Sequence, residues 1–134
     1  MLNWIMKAIK PKEKPAKTVL VIDDEATTRT IIRQTLAKSG YEVLTAQSGE
    51  QGLAIAKQNI PDIIMIDVLM PGMDGFMLLK EIKRQDALRD KPIIVLTSRE
   101  NVGDTLRRFG ADSFLNKPVD PVVLLKEIEK LTGK

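Results

Sequence analysis

The chain has 134 residues, 43% of them hydrophobic and 29% charged, with a formal net charge of +3; this is the make-up of one soluble domain with at most a short appendage. It contains no Cys and no His, which excludes disulfides, thiolate nucleophiles, zinc held by Cys or His, and any nucleophile–imidazole triad. A histidine that carries a phosphoryl group would have to belong to another molecule.

In chain order, the first segment is basic. Residues 1–17 carry five lysines (Lys7, Lys10, Lys12, Lys14, Lys17) against Glu13, a net +4, so the remaining 16 basic and 17 acidic residues leave 18–134 near neutral at −1. Leu2, Ile5, Met6 and Ile9 recur at helical spacing beside Trp4, giving a basic amphipathic stretch over residues 1–10 suited to an anionic membrane surface or a partner's groove. Pro11 and Pro15 mark an extended linker behind it. Lys7 and Lys10 interrupt the apolar run, so it does not read as a signal peptide, and no stretch reaches a membrane span; a cytoplasmic location is the expectation. The division expected is an extension over 1–17 and a single domain over 18–134.

From Thr18 onward, apolar runs alternate with amphipathic stretches. The runs are Val19–Ile22, Val43-Leu44 with Tyr41 and Ala46, Ile63–Ile66, Ile93–Leu96 and Phe114-Leu115. Three are unbroken blocks of four, as in parallel strands covered on both faces. Gly40 ends the first helical stretch. Ser48 with Gln51 is a capping-box pair opening the second. Gly110 closes a stripe of Val102, Leu106 and Phe109, and Asp120-Pro121 reads as N-cap and first position of a last helix lined by Leu124, Ile128 and Leu131. Five strand–helix units predict an α/β fold with right-handed crossovers.

In such a sheet, functional groups collect past the carboxyl ends of the strands. The first run is followed by Asp23-Asp24-Glu25, the third by Asp67, the fourth by Thr97-Ser98 and the fifth by Asn116-Lys117-Pro118. Taken singly, an Asp after a strand serves as a cap or turn residue, Thr97 reads equally well as an N-cap, and Lys117 as a solvated side chain. Gathered on one edge they read differently. Two carboxylates about 5 Å apart repel by roughly 3 kcal/mol at an effective dielectric of about 20, so Asp23, Asp24 and Asp67 together call for a cation. Hard oxygen ligands in an incomplete shell favour Mg²⁺. Lys117 can neutralise a phosphoryl oxygen and Thr97 can donate to another, an inventory suited to phosphoryl transfer with a carboxylate as acceptor.

These segments resemble the receiver domain of two-component response regulators over essentially all of 18–134. The resemblance rests on Val-Ile-Asp-Asp-Glu at 21–25, Met-Ile-Asp-Val-Leu-Met-Pro-Gly-Met-Asp-Gly at 65–75, Leu-Thr-Ser at 96–98 and Leu-Asn-Lys-Pro at 115–118. It implies a doubly wound, flavodoxin-like five-stranded parallel sheet in the order 2-1-3-4-5. It further implies Asp67 as phosphoacceptor, Mg²⁺ held by Asp23, Asp24, Asp67 and the backbone carbonyl of Leu69, and Thr97 and Lys117 contacting the phosphoryl group, with a cis bond to Pro118. Thr97 and Phe114 would form the switch, and because Phe114 lacks a hydroxyl, coupling would run through packing alone.

The implied function is a single-domain response regulator. Its donor would be a histidine kinase or phosphotransfer protein, and its output a switched protein-binding surface on a downstream target. It would assist its own phosphorylation without being an enzyme. Only Thr132, Gly133 and Lys134 follow the last helix, so direct DNA binding is not expected. Leu69 and Arg99, each two past a site residue, flank the phosphoryl position in this family, and the apolar Leu69 implies slow self-dephosphorylation. Two rivals differ in class. A haloacid dehalogenase-type phosphatase needs an Asp where Leu69 stands, and a phosphorylation-independent docking module need not keep all of Asp23, Asp24, Asp67, Thr97 and Lys117.

Overall fold

A computed structural model of the protein describes residues 16–98 and 103–133. The amphipathic stretch over 1–10, most of the linker, Arg99 and Val102 lie outside the described residues.

Among the described residues, five strands alternate with five helices: β1 (Thr18–Ile22), α1 (Ala26–Lys38), β2 (Glu42–Ala46), α2 (Gly49–Gln58), β3 (Ile63–Asp67), α3 (Gly75–Lys83), β4 (Ile93–Thr97), α4 (Gly103–Arg108), β5 (Ser113–Asn116) and α5 (Pro121–Thr132). The strands form one parallel sheet in the order β2-β1-β3-β4-β5. β3 and β4 are buried at every position, which is why their sequences are continuous apolar runs rather than alternating ones. Alternate residues then supply two cores. Val19, Val21, Ile63, Met65, Ile94 and Leu96 meet Ile32 and Leu36 of α1 and Leu124 and Ile128 of α5. Leu20, Ile22, Ile64, Ile66, Ile93 and Val95 meet Ala56 of α2, Leu78, Leu79 and Ile82 of α3, and Leu106 of α4. Each fully buried Leu or Ile stabilises the fold by roughly 1.5–3 kcal/mol relative to exposure.

The helix ends explain how the chain turns back. Gly40 at φ 91° lets α1 stop, with the Gly40 amide donating to the Ala37 carbonyl and the Tyr41 amide to the Leu36 carbonyl. Tyr41 therefore belongs to this helix stop, packed with Leu36, and β2 begins one residue later. Ser48 Oγ accepts from the Gln51 amide at 3.2 Å, but the Gln51 side chain takes the amide of Gln47 rather than that of Ser48, reaching one residue further out than a capping box. Asp120 caps α5 by accepting from the Val122 and Val123 amides at 2.8 and 3.2 Å. β3 and β4 each run one residue past their apolar block, so Asp67 and Thr97 are the last positions of their strands.

Candidate functional site

The carboxyl ends of β1, β3, β4 and β5 meet at one edge. Asp23 follows β1, its amide donating to the Ala46 carbonyl of the neighbouring strand, and is fully buried. Asp67 and Thr97, ending β3 and β4, are 5% and 2% exposed. The Lys117 amide donates to the Thr97 carbonyl at 2.9 Å, which fixes where the lysine leaves β5, and the Lys117–Pro118 peptide is cis. From there Lys117 Nζ lies 3.0 Å from Asp23 Oδ2 and 3.5 Å from Asp67 Oδ2, and it also pairs with Glu25 Oε1.

Two tight fits hold these positions. The Arg29 guanidinium donates to the Asp23 carbonyl at 2.8 Å, tying the loop after β1 to α1. A Cβ on Gly75 would stand 2.6 Å from the Asp67 carbonyl oxygen and 2.8 Å from Val68 Cα, so α3 approaches β3 this closely only because that residue has no side chain. Asp74 caps α3 by accepting from the Met77 amide, which seats the helix start against the acceptor strand.

The charge balance is unequal. Burial and the neighbouring Asp23 charge, with acceptor oxygens of Asp23 and Asp24 that favour the protonated form, raise the Asp67 carboxyl to about 7, with Lys117 opposing. Burial disfavours the Lys117 ammonium, but its hydrogen bonds to Glu25 and Asp23 and the charges of Asp23 and Asp67 outweigh that and hold it above the ordinary lysine range. Asp23 Oδ2 is buried and, beyond its ion pair with Lys117, makes no hydrogen bond. Carboxylate oxygens of Asp23, Glu25 and Asp67 lie within 4.8 Å of one another. The buried Asp23 and Asp67 carboxylates of this cluster are hard oxygen donors, a set consistent with a divalent cation such as Mg²⁺.

The structure thus gathers Asp23, Asp67, Thr97 and Lys117 at one edge. Asp24 is exposed beside them, close enough to help raise the Asp67 carboxyl. Leu69 stands in the loop after β3 with half its surface open to solvent. Phe114 is half-buried against the core beside α4, its ring under the Arg107 guanidinium at 5.1 Å. Sequence reasoning passed over Glu25 and Arg29. The run of three acids after β1 displayed Glu25, but its partner Lys117 is 92 positions away. Beside the acids, α1 and the segment after β5 enclose a groove of about 420 Å³ lined by Glu25, Thr28, Ile31, Lys117, Pro118 and Val119 among others.

Residues 19–129 match the response regulator receiver domain family. The chain is 38% identical over 116 residues to the response regulator PleD of Caulobacter vibrioides, covering 85% of this chain but only 26% of PleD. It is 35% identical to protein PilH of Pseudomonas aeruginosa, covering 82% of this chain and 93% of PilH. The fold superposes on the chemotaxis protein CheY4 of Vibrio cholerae with a TM-score of 0.82 at 35% identity, covering 87% of this chain and 98% of that one. A receiver domain of a sensor histidine kinase from Pseudomonas aeruginosa, which holds magnesium in its active site cleft, superposes with a TM-score of 0.82 at 26% identity, covering 89% of this chain and 99% of that one. A doubly wound sheet, an acidic edge and these similarities converge: the chain belongs to the response regulator receiver domain family of two-component signalling.

Proposed function

We propose that this protein is a phosphoacceptor whose Asp67 takes a phosphoryl group from a phosphohistidine of a partner kinase or phosphotransfer protein, in the presence of Mg²⁺, and signals by changing a protein-binding surface. The observation that carries this reading is a nearly buried carboxylate set between further carboxylates and the Lys117 ammonium. An Asp67 oxygen attacks phosphorus, the bond from phosphorus to the imidazole nitrogen breaks, and the imidazole leaves with the electron pair. Lys117 meets one phosphoryl oxygen with its ammonium, and Thr97 offers its hydroxyl to another. Asp23, Asp24 and Asp67, with the backbone carbonyl of Leu69, would hold Mg²⁺, which would offset the repulsion among these carboxylates and draw phosphoryl charge toward the acceptor. The groove beside Glu25 and Lys117 gives a donor side chain its approach.

The protein turns over no separate substrate in this scheme: Asp67 is consumed and regenerated by hydrolysis. Thr97 moving toward the phosphoryl group repacks Phe114, which pairs with Val95 two residues before Thr97 on β4 and lies near Arg107 of α4 and Val123 of α5. Incubation with acetyl phosphate and Mg²⁺ should add one phosphoryl group, acid-stable and base-labile, detected by intact mass and absent from Asp67→Asn. No adduct on the wild type would favour a docking role independent of phosphorylation.

A further inference from the structure

Glu25 occupies the N-cap position of α1 in an extended conformation, yet its side chain caps nothing. Its amide is taken by Asp23 Oδ1 at 2.9 Å, and its carboxylate pairs instead with Lys117. Lys117 stands closer to Asp23, at 3.0 Å, than to the acceptor Asp67, at 3.5 Å. An ammonium has three protons, and here three carboxylates surround it. The contact that a phosphoryl oxygen on Asp67 would inherit is the longest of the three, at 3.5 Å, so the ammonium must swing toward Asp67 and loosen one of its two closer pairings.

Burial decides which. The Asp23 side chain is fully buried, and losing Lys117 would leave its charge uncompensated away from water. The Glu25 side chain is 60% exposed, so water replaces the ammonium at small cost. Both Glu25 and Lys117 also line the groove beside the acceptor, on the side where the apolar Ile31, Pro118 and Val119 lie. We propose that Glu25 is a positioning residue that tethers the Lys117 ammonium at the lip of this groove, so that a phosphoryl group arriving at Asp67 must displace the Glu25 carboxylate. This deepens the phosphoacceptor reading and rests on it. The tether sets the speed of loading from small anionic donors: they meet a fixed negative charge and find Lys117 already engaged.

With acetyl phosphate as probe, the bond between phosphorus and the acyl oxygen breaks, acetate leaves with the electron pair, and the Asp67 oxygen–phosphorus bond forms, while Lys117 keeps its protons. Second-order loading constants are compared for the full chain as wild type, Glu25→Gln, Glu25→Asp and Asp67→Asn, with Mg²⁺ affinity measured separately by calorimetry. The expected result is loading about fivefold faster or more in Glu25→Gln, an advantage that shrinks as ionic strength rises. Mg²⁺ affinity should hold within about twofold, and Glu25→Asp should load at close to the wild-type rate. Equal loading by Glu25→Gln and wild type overturns the tether. So does a loss of Mg²⁺ affinity of about tenfold, because Glu25 would then act as a metal ligand. A wild type with no base-labile adduct, measured beside Asp67→Asn, overturns the phosphoacceptor reading itself.

Discussion

The interior of the sheet and its carboxyl edge are built from the same strands, one residue apart, and obey opposite rules. Ile22 is buried among aliphatic side chains, and the next residue, Asp23, is an equally buried charge. Ile66 gives way to Asp67 and Leu96 to Thr97 in the same manner. Up to the penultimate position each strand stabilises the fold by removing apolar surface from water. At the last it costs stability, because two carboxylates leave water with one ammonium shared between them. A receiver needs both. The interior holds four strand ends rigidly in register, and only then can like charges be kept close enough to bind a cation and a phosphoryl group.

The comparison can be broken first from the interior. Leu79 of α3 is fully buried in the core beneath Ile64 and Ile66. Leu79→Ala should cost about 2–5 kcal/mol, the range for leucine deletions that leave a cavity. Urea unfolding would measure it. The variant should still load Asp67 wherever it remains folded, because the edge is positioned by backbone register and not by this one side chain. A wild-type-like midpoint would mean that the helix layer contributes far less than its burial implies.

The edge should respond in the opposite sense. The Asp67 carboxyl is raised to about 7 in the folded protein from an ordinary value of 3.8. The folded state therefore holds this proton more tightly than the unfolded chain, and the contribution of Asp67 to stability declines as pH rises from about 4 to about 7, then stays level. The span corresponds to a penalty on the order of 4 kcal/mol for the metal-free protein above neutrality. Asp67→Asn removes the titration. In chelator its stability advantage over the wild type should be small near pH 4.5 and grow to a few kcal/mol by pH 8, and Mg²⁺ should stabilise the wild type more than the variant. Parallel stability–pH curves for the two proteins would show that Asp67 does not carry this penalty.

What was legible in the sequence follows from the same division. The interior announces itself because strands covered on both faces become runs such as Ile63–Ile66 and Ile93–Leu96, readable without any partner. β2, at the edge of the sheet and only half-buried, is blurred, and Tyr41 reads as part of it although it closes α1. Asp23, Asp67, Thr97 and Lys117 were visible because each follows an apolar run, and strand ends in a parallel sheet share one edge. The pairing of Glu25 with Lys117 was not, since local spacing carries no information about a contact 92 positions distant. Nor was the close approach of Gly75 to the Asp67 carbonyl, which depends on how α3 lies across β3.

The smallest expected effect concerns a residue at the boundary of the two regions. Leu69 lies two positions beyond Asp67, in the loop that leaves the interior, and it is apolar yet 51% exposed. Hydrolysis of an aspartyl phosphate needs a water held in line with the bond from phosphorus to the Asp67 oxygen. An aliphatic side chain has no donor or acceptor with which to hold one, whereas an amide has both. Leu69→Asn should therefore shorten the phosphorylated lifetime several-fold, a lowering of the barrier by about 1 kcal/mol. Because Leu69 is exposed, the exchange should leave urea stability within about 0.5 kcal/mol of wild type. Decay of the base-labile adduct after removal of acetyl phosphate is the measurement. A wild-type lifetime equal to or shorter than that of the variant would place control of hydrolysis away from Leu69, with the carboxylates and Lys117 around Asp67 as the remaining groups in contact with the acceptor.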